Sequence, residues 1–134
     1  MTITGVADTH VALWYLFGDP RLSIAARSFI ETAAEARSKI AVSSIGLVEV
    51  VYLVEKGRIL PSAYKDLAEA LADPEHVFCE VVVSAVVAES MRRVPRVEVP
   101  DMPDRIVAAT AVYFGVPIIS RDGRIRKAGL GTIW

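Results

Sequence analysis

Apolar positions along the chain follow two alternating rhythms. Short, β-branched runs occur at Thr2–Ala7 (TITGVA), Lys39–Val42 (KIAV), Val77–Val83 (VFCEVVV), Val116–Ser120 (VPIIS) and Gly131–Trp134 (GTIW), each bounded by turn-forming residues; such runs read as strands. Between them lie stretches of helical period: Val11–Phe17 ended by Gly18, Ile24–Ala36 capped by Ser23, Ile45–Lys56 between Ser44 and Gly57, Ser62–Ala72 stopped before Pro74, Ala85–Arg93, and Asp104–Phe114 ended by Gly115. Their starts and stops carry the residues that cap helices or break them. Strands alternating with helices predict parallel β-α-β crossovers and a sheet covered by helices on both faces. RVPRVEVPDMP is the one proline-rich connection, and the chain has no internal repeat or low-complexity segment.

The stretch SSIGLVEVVYLVEKG breaks its own pattern. Before Glu55 nearly every helical position is apolar except Glu49. Ile45, Val48, Tyr52 and Leu53 lie one turn either side of Glu49, so its carboxylate is expected on the inward face of the helix. A buried acid needs a partner or a purpose.

With 134 residues, 53% of them hydrophobic, the chain is expected to fold as a single domain spanning 1–134. The net charge of -1 excludes a protein that coats nucleic acid by bulk positive charge, although a local basic patch fits within that total. No apolar run reaches the length of a membrane span, and the amino terminus lacks a signal-peptide pattern, so a cytoplasmic location is expected. Cys79 is the lone cysteine and reads as a buried, unreactive thiol.

In a parallel sheet each crossover leaves the carboxyl end of a strand, and the next helix begins near that edge. Asp8 directly follows the first strand, Asp122 lies just past the fourth, Glu49 lies early in the helix after the second, and Asp104 opens the helix feeding the fourth. All four are thereby expected on one rim, where open α/β sheets bind ligands. Four carboxylates in a small volume repel, and a hard, oxygen-seeking Mg²⁺ or Mn²⁺ ion relieves the conflict. Zinc fits less well, because Cys79, His10 and His76 show no ligand-pair spacing. One or two such ions suit in-line displacement at a phosphodiester.

VADTHVALWYL, SSIGLVEVVYLVEKGRI and PDMPDRIVAATAVYFGVPIISRDGRI together resemble the acidic motifs of PIN domains, in particular the VapC-type ribonuclease toxins of bacterial toxin–antitoxin pairs. The resemblance covers essentially the whole chain. It implies a PIN-like three-layer α/β/α fold with a central five-stranded parallel sheet, Mg²⁺- or Mn²⁺-dependent endoribonuclease activity on RNA such as transfer or ribosomal RNA, a homodimer, and a small VapB-type antitoxin that blocks the site. On this resemblance the metal-binding and catalytic acids are Asp8, Glu49, Asp104 and Asp122, with Thr9 and Ser120 orienting them. The chain departs from the pattern in having Ser120 where Thr is common, and Met102-Pro103 between its two aspartates where Pro-Phe is frequent; neither change removes a ligand.

Each acid also has a plainer reading. Asp101 and Asp104 are spaced as an N-cap and its third helical residue, and capping is the better account of Asp101. Asp8 could cap the first helix, and Asp122-Gly123 is a common turn pair. Glu49 could be neutralised by Lys56 or an arginine. His10 is expected to make a local hydrogen bond rather than act as a base. Arg105, Arg121 and Arg124, with Arg126 and Lys127, are the best-placed phosphate contacts, whereas Arg92, Arg93 and Arg96 read as a solvated face. Of Trp14, Tyr15 and Phe17, at least two are expected in the core.

Three other function classes compete with this one. A haloacid-dehalogenase-like phosphatase needs a second Asp where His10 stands, and a response-regulator receiver needs an acceptor Asp after the third strand. A non-catalytic PIN-like RNA-binding or partner-binding module is the third, set against hydrolysis by the presence of all four acids.

Overall fold

The computed structural model describes residues 1–134. Five strands, β1 (Ile3–Ala7), β2 (Lys39–Ser43), β3 (Phe78–Val81), β4 (Ile118–Ile119) and β5 (Thr132–Ile133), form one sheet in the order β3-β2-β1-β4-β5. All four pairings are parallel. Seven helices complete the chain: α1 (Thr9–Phe17), α2 (Ile24–Glu35), α3 (Ser44–Glu55), α4 (Ser62–Ala72), α5 (Ala85–Ser90), α6 (Met102–Phe114) and α7 (Gly123–Lys127).

Because side chains alternate across a strand, a sheet buried on both faces needs apolar residues at successive positions. The three central strands show this. Ala7, Ile40, Val42 and Ile119 point into a core shared with Val11 and Trp14 of α1, Ile30 of α2, Val50 of α3 and Leu67 of α4. Val6, Ala41 and Ile118 point into a second core with Val87 of α5 and Ile106–Ala109 of α6. The result is the three-layer α/β/α fold with a five-stranded parallel sheet that the alternation predicts.

The structure shifts several boundaries. Ser43, not Ser44, caps α3, its Oγ accepting from the Ile45 N–H at 3.3 Å. The β2–β3 ladder runs on to Ser43, paired with Val81, so the helix begins one residue early. Ser44 Oγ is left to accept from the Val83 N–H at 3.1 Å, tying the end of β3 to the start of α3. The helix expected over Ala85–Arg93 ends at Ser90 and tightens into a 3-10 turn, Met91–Arg93, ahead of Pro95, which disfavours helical geometry in the residue before it. Helix α6 starts at Met102, two residues before the expected Asp104, with Pro103 in its first turn. Helix α7 was not expected. It is five residues long, too short for a periodic signal, and Ile125, 1% exposed, anchors it.

No helix is long and apolar enough to cross a membrane. Cys79 is half-buried, not fully buried as its apolar run suggests, and burial pushes its thiol pKa up. The face of α3 expected to pack inward around Glu49 does not: Val48 and Tyr52 are exposed and Ile45 and Leu53 only half-buried, and the buried positions of the helix are Gly46 and Val50.

Candidate active site

A pocket of about 400 Å³ opens at the carboxyl edge of the sheet, lined by Asp8, His10, Val11, Trp14, Arg21, Glu49, Asp104, Arg121 and Asp122. The four acids expected on one rim are all in its wall. Each arrives by a different piece of backbone, and the local bonding distinguishes those committed to structure from those that are free.

Asp8 sits at the junction of β1 and α1. Its N–H donates to Ile119 O of the neighbouring β4 at 3.0 Å, and its carbonyl receives the Ala12 N–H at 3.0 Å. It occupies the N-cap position of α1, yet its carboxylate makes no capping bond. Instead Oδ2 accepts from the Ser120 hydroxyl at 2.9 Å. That hydroxyl accepts in turn from the Asp122 N–H at 3.0 Å, which leaves its single proton for Asp8. The capping explanation for Asp8 therefore fails.

Glu49 lies in the second turn of α3, held by the Thr9 hydroxyl, which donates to Oε1 at 2.8 Å. Gly46 makes room for this contact: a Cβ there would stand 3.0 Å from Thr9 Oγ1. Neither Lys56 nor an arginine pairs with Glu49; Lys56 lies over the Tyr52 ring. Burial raises the Glu49 pKa, the Thr9 hydrogen bond opposes this, and the charges of Asp8 and Asp101 add to it.

Asp101 and Asp104 divide their roles as the capping spacing suggests. Asp101 is exposed and caps α6, Oδ2 accepting from the Asp104 N–H at 3.2 Å. Asp104 faces the pocket, its pKa pushed up to about 7 by burial first and then by the charges of Asp8, Asp101, Glu49 and Asp122. Asp122 does both jobs. Its Oδ1 caps α7 by accepting from the Arg124 N–H at 2.9 Å, and it also lines the pocket.

The basic residues separate more sharply. Arg105 is not free to contact phosphate: its guanidinium donates to the carbonyls of Val94 at 3.0 Å and Met91 at 2.9 Å, securing the loop before α6. Arg124 lies on the acids, 3.4 Å from Asp122 and 3.9 Å from Asp104. Arg121 is exposed, with its guanidinium 4.8 Å from the centre of the Trp14 ring. Arg126 and Lys127 are exposed on α7, and Arg92, Arg93 and Arg96 are exposed elsewhere, as a solvated face requires. His10 makes no hydrogen bond of the kind expected. It is exposed, and its ring leans on Trp14 at 5.9 Å. Trp14 is buried, Tyr15 packs against the core and Phe17 is exposed. Sequence reasoning missed Arg21, which lines the pocket; Asp19-Pro20-Arg21 has the spacing of an Asx turn, but nothing local shows that the guanidinium returns to Trp14.

The donor set consists of carboxylate oxygens, the chemistry of a hard divalent cation. Beyond the effect of burial, the charges of Asp8, Asp101, Glu49 and Asp122 that add to the raised Asp104 pKa are ones a cation would offset. No three of these side chains converge closely enough to hold an ion as they stand, with Arg124 lying against two of them.

This charge conflict has a consequence for stability. An acid with a raised folded-state pKa binds more protons folded than unfolded between its two pKa values, so stability falls as pH rises through that window. For Asp104 the window runs from 3.8 to about 7, and Glu49 shifts in the same direction. In chelator, the melting temperature is expected to rise by a few degrees from pH 8 to pH 6, about 1 kcal/mol after allowing for water's access to the site. Millimolar Mg²⁺ should flatten that slope by stabilising the ionised acids. A melting temperature independent of pH in chelator would show the acids to be uncoupled.

A sequence profile of the PIN domain matches residues 6–130. The chain is 34% identical over 125 residues to Ribonuclease VapC22 of Mycobacterium tuberculosis (strain ATCC 25618 / H37Rv), covering 92% of this chain and 91% of that protein. Among solved structures, VapBC2 from Rickettsia felis bound to a DNA fragment from their promoter aligns with a TM-score of 0.70 and 18% identity over 97% of each chain, a likeness of fold.

Proposed function

Since the chain belongs to the PIN-domain family, we propose that it is a Mg²⁺- or Mn²⁺-dependent endoribonuclease acting as the toxin of a toxin–antitoxin pair. The observation that carries this reading is the gathering of Asp8, Glu49, Asp104 and Asp122 on one pocket, two of them held by dedicated hydroxyl donors. The name of the 34% identical relative, a ribonuclease, supports the same chemistry.

Asp8, Asp104 and Asp122 are the proposed metal ligands, with Glu49 completing the set or positioning water. A divalent cation held there would lower the pKa of water and offset charge building on the phosphate oxygens. Ser120 fixes the direction of the Asp8 carboxylate, and Thr9 does the same for Glu49. With its pKa raised, Glu49 is the chain's own group suited to take a proton from the attacking water. Arg121 has its donors unspent and is placed for a substrate phosphate; Arg124 reaches one by leaving Asp104 and Asp122. Transfer and ribosomal RNA are the proposed substrate classes, with products bearing 5′-phosphate and 3′-hydroxyl ends.

The test is cleavage of total cellular RNA by the purified protein, freed of any copurified partner, in Mg²⁺, in Mn²⁺ and in chelator. Discrete products that need metal and are lost in Asp8→Asn are expected. An identical pattern from wild type and variant would sink the proposal. A small VapB-type antitoxin is the proposed partner, in keeping with the assembly named for the structural neighbour. Its presence should show as a short copurifying protein whose removal raises the nuclease activity.

A homodimer is proposed on the exposed Val48, Val51 and Tyr52 of α3. The Ser44 to Val83 hydrogen bond brings the exposed Val82 and Val83 to the same end of this face. Exposed apolar residues grouped in this way mark an association surface. Val48→Asp is expected to give a folded monomer by sedimentation velocity where the wild type is dimeric. An unchanged sedimentation coefficient would place the interface elsewhere.

A further inference from the structure

The acidic pocket has a second wall of opposite charge. Trp14, only 6% exposed, forms its floor. Two guanidiniums lie over the Trp14 ring: Arg121 at 4.8 Å and Arg21 at 5.1 Å. They reach it from opposite ends of the chain. Arg21 comes from the loop after α1, and Arg121 from the loop after β4.

Arg21 is built in place more firmly than an ordinary surface arginine. Asp19 Oδ1 accepts from the Arg21 backbone N–H at 2.9 Å and from Nε at 3.0 Å, while Oδ2 accepts from Nη2 at 2.7 Å. This two-pronged pairing holds the Asp19 carboxyl down at about 2, with the Arg21 side-chain bond the largest cause. Asp19 is itself tethered, since its N–H donates to Trp14 O at 2.9 Å and its carbonyl receives the Leu22 N–H at 3.1 Å. One edge of the guanidinium is therefore occupied by Asp19 and its plane is set beside Trp14. Nη1 and the second N–H of Nη2 have no protein partner, and the side chain is 61% exposed at the pocket. A fixed guanidinium with unspent, coplanar donors is suited to a phosphate group, and fixing it beforehand lowers the ordering cost on binding.

We propose that Arg21, held by Asp19 against Trp14, is a substrate-binding residue that takes the backbone phosphate of a nucleotide flanking the scissile bond of single-stranded RNA. The assignment rests on the ribonuclease reading above and adds to it a residue that no acidic motif contains. The geometry explains why Asp19 does not cancel the usefulness of Arg21: the carboxylate occupies the Nε edge and leaves the other edge to the pocket. Lysine cannot substitute, because a single ammonium held by Asp19 has no second edge to offer.

The experiment measures binding of a fluorescent, mixed-sequence single-stranded RNA oligonucleotide to the Asp8→Asn protein, with and without Arg21→Gln or Arg21→Lys, across a salt titration. Cleavage of total RNA by wild type and by the Arg21 variants runs alongside. Loss of one phosphate contact is expected to weaken binding by about 5- to 10-fold at low salt and to reduce the slope of log K against log salt by about 0.7. Arg21→Lys should rescue poorly, and Asp19→Asn should fall between wild type and Arg21→Gln. In cleavage the loss should appear in KM more than in kcat. A merely structural role would leave the salt slope unmoved. Equal affinity and equal slope in Arg21→Gln would overturn the proposal, even with a wild type that cuts RNA. Arg21-dependent binding by a wild type that cuts nothing would instead overturn the nuclease reading and leave the phosphate contact standing.

Discussion

Asp104→Asn is expected to give a protein that is more stable than wild type and nearly inactive. The side chain keeps its shape and loses its charge, so the burial of a charge and the repulsion from Asp8, Asp101, Glu49 and Asp122, which together push the Asp104 pKa up to about 7, disappear. In chelator at pH 8 the gain should be about 1–2 kcal/mol after allowing for solvent screening, read as a shift in the urea midpoint. The sign can be checked within one experiment. At pH 5 wild-type Asp104 is already protonated in the folded state, so the advantage of the variant should shrink. Activity should move the other way. Loss of the proposed charged ligand should remove several kcal/mol of transition-state stabilisation, on the order of 10²–10³-fold in kcat. A variant as active as wild type would remove Asp104 from the catalytic set. One less stable than wild type in chelator at pH 8 would show that the acids do not burden the fold.

Trp14→Ala is expected to be the most destabilising of the changes considered. The ring is buried in the core beneath α1 and stands 6.0 Å from Trp134, which follows β5. Its removal should cost about 3–5 kcal/mol through lost burial and the cavity left behind. Against a total of about 5–15 kcal/mol for a typical domain, that is a large share. Loss of the platform under Arg21 and Arg121 comes on top of it. Trp14→Phe should recover most of the stability while still weakening RNA binding, because the smaller ring supports a cation less well. Urea unfolding followed by circular dichroism separates the two effects. A cost below about 1 kcal/mol for Trp14→Ala would mean that the core closes over the gap.

Much of this architecture was legible in the chain. The three central strands are buried on both faces, so their continuous apolar runs stood out, and Gly18 and Gly115 end helices at positive φ where the sequence places them. The four acids were legible because a parallel sheet sends the ends of its strands to one edge. What escaped was decided by contacts between distant residues. Nothing near Arg105 announces that its guanidinium closes on the carbonyls of Met91 and Val94. The tie from Arg21 to Trp14 likewise depends on how the loop after α1 turns back. With Ser43 and Ser44 adjacent, either could cap α3, and the β2–β3 pairing made the choice. The apolar neighbours of Glu49 suggested an inward face, whereas Val48 and Tyr52 are half exposed or more.

The hydrogen bond from Ser120 to Asp8 joins residues 112 positions apart. Asp8 is made before Glu49, and Glu49 well before Asp104, Ser120 and Asp122. Strand β1 has to wait for β4 before its own edge is complete, since the Asp8 N–H is satisfied by Ile119. A ribosome making this protein therefore carries no assembled pocket before Asp122 has emerged. Order of synthesis thus withholds the acidic pocket from the nearest RNA until the last of its four carboxylates has been made.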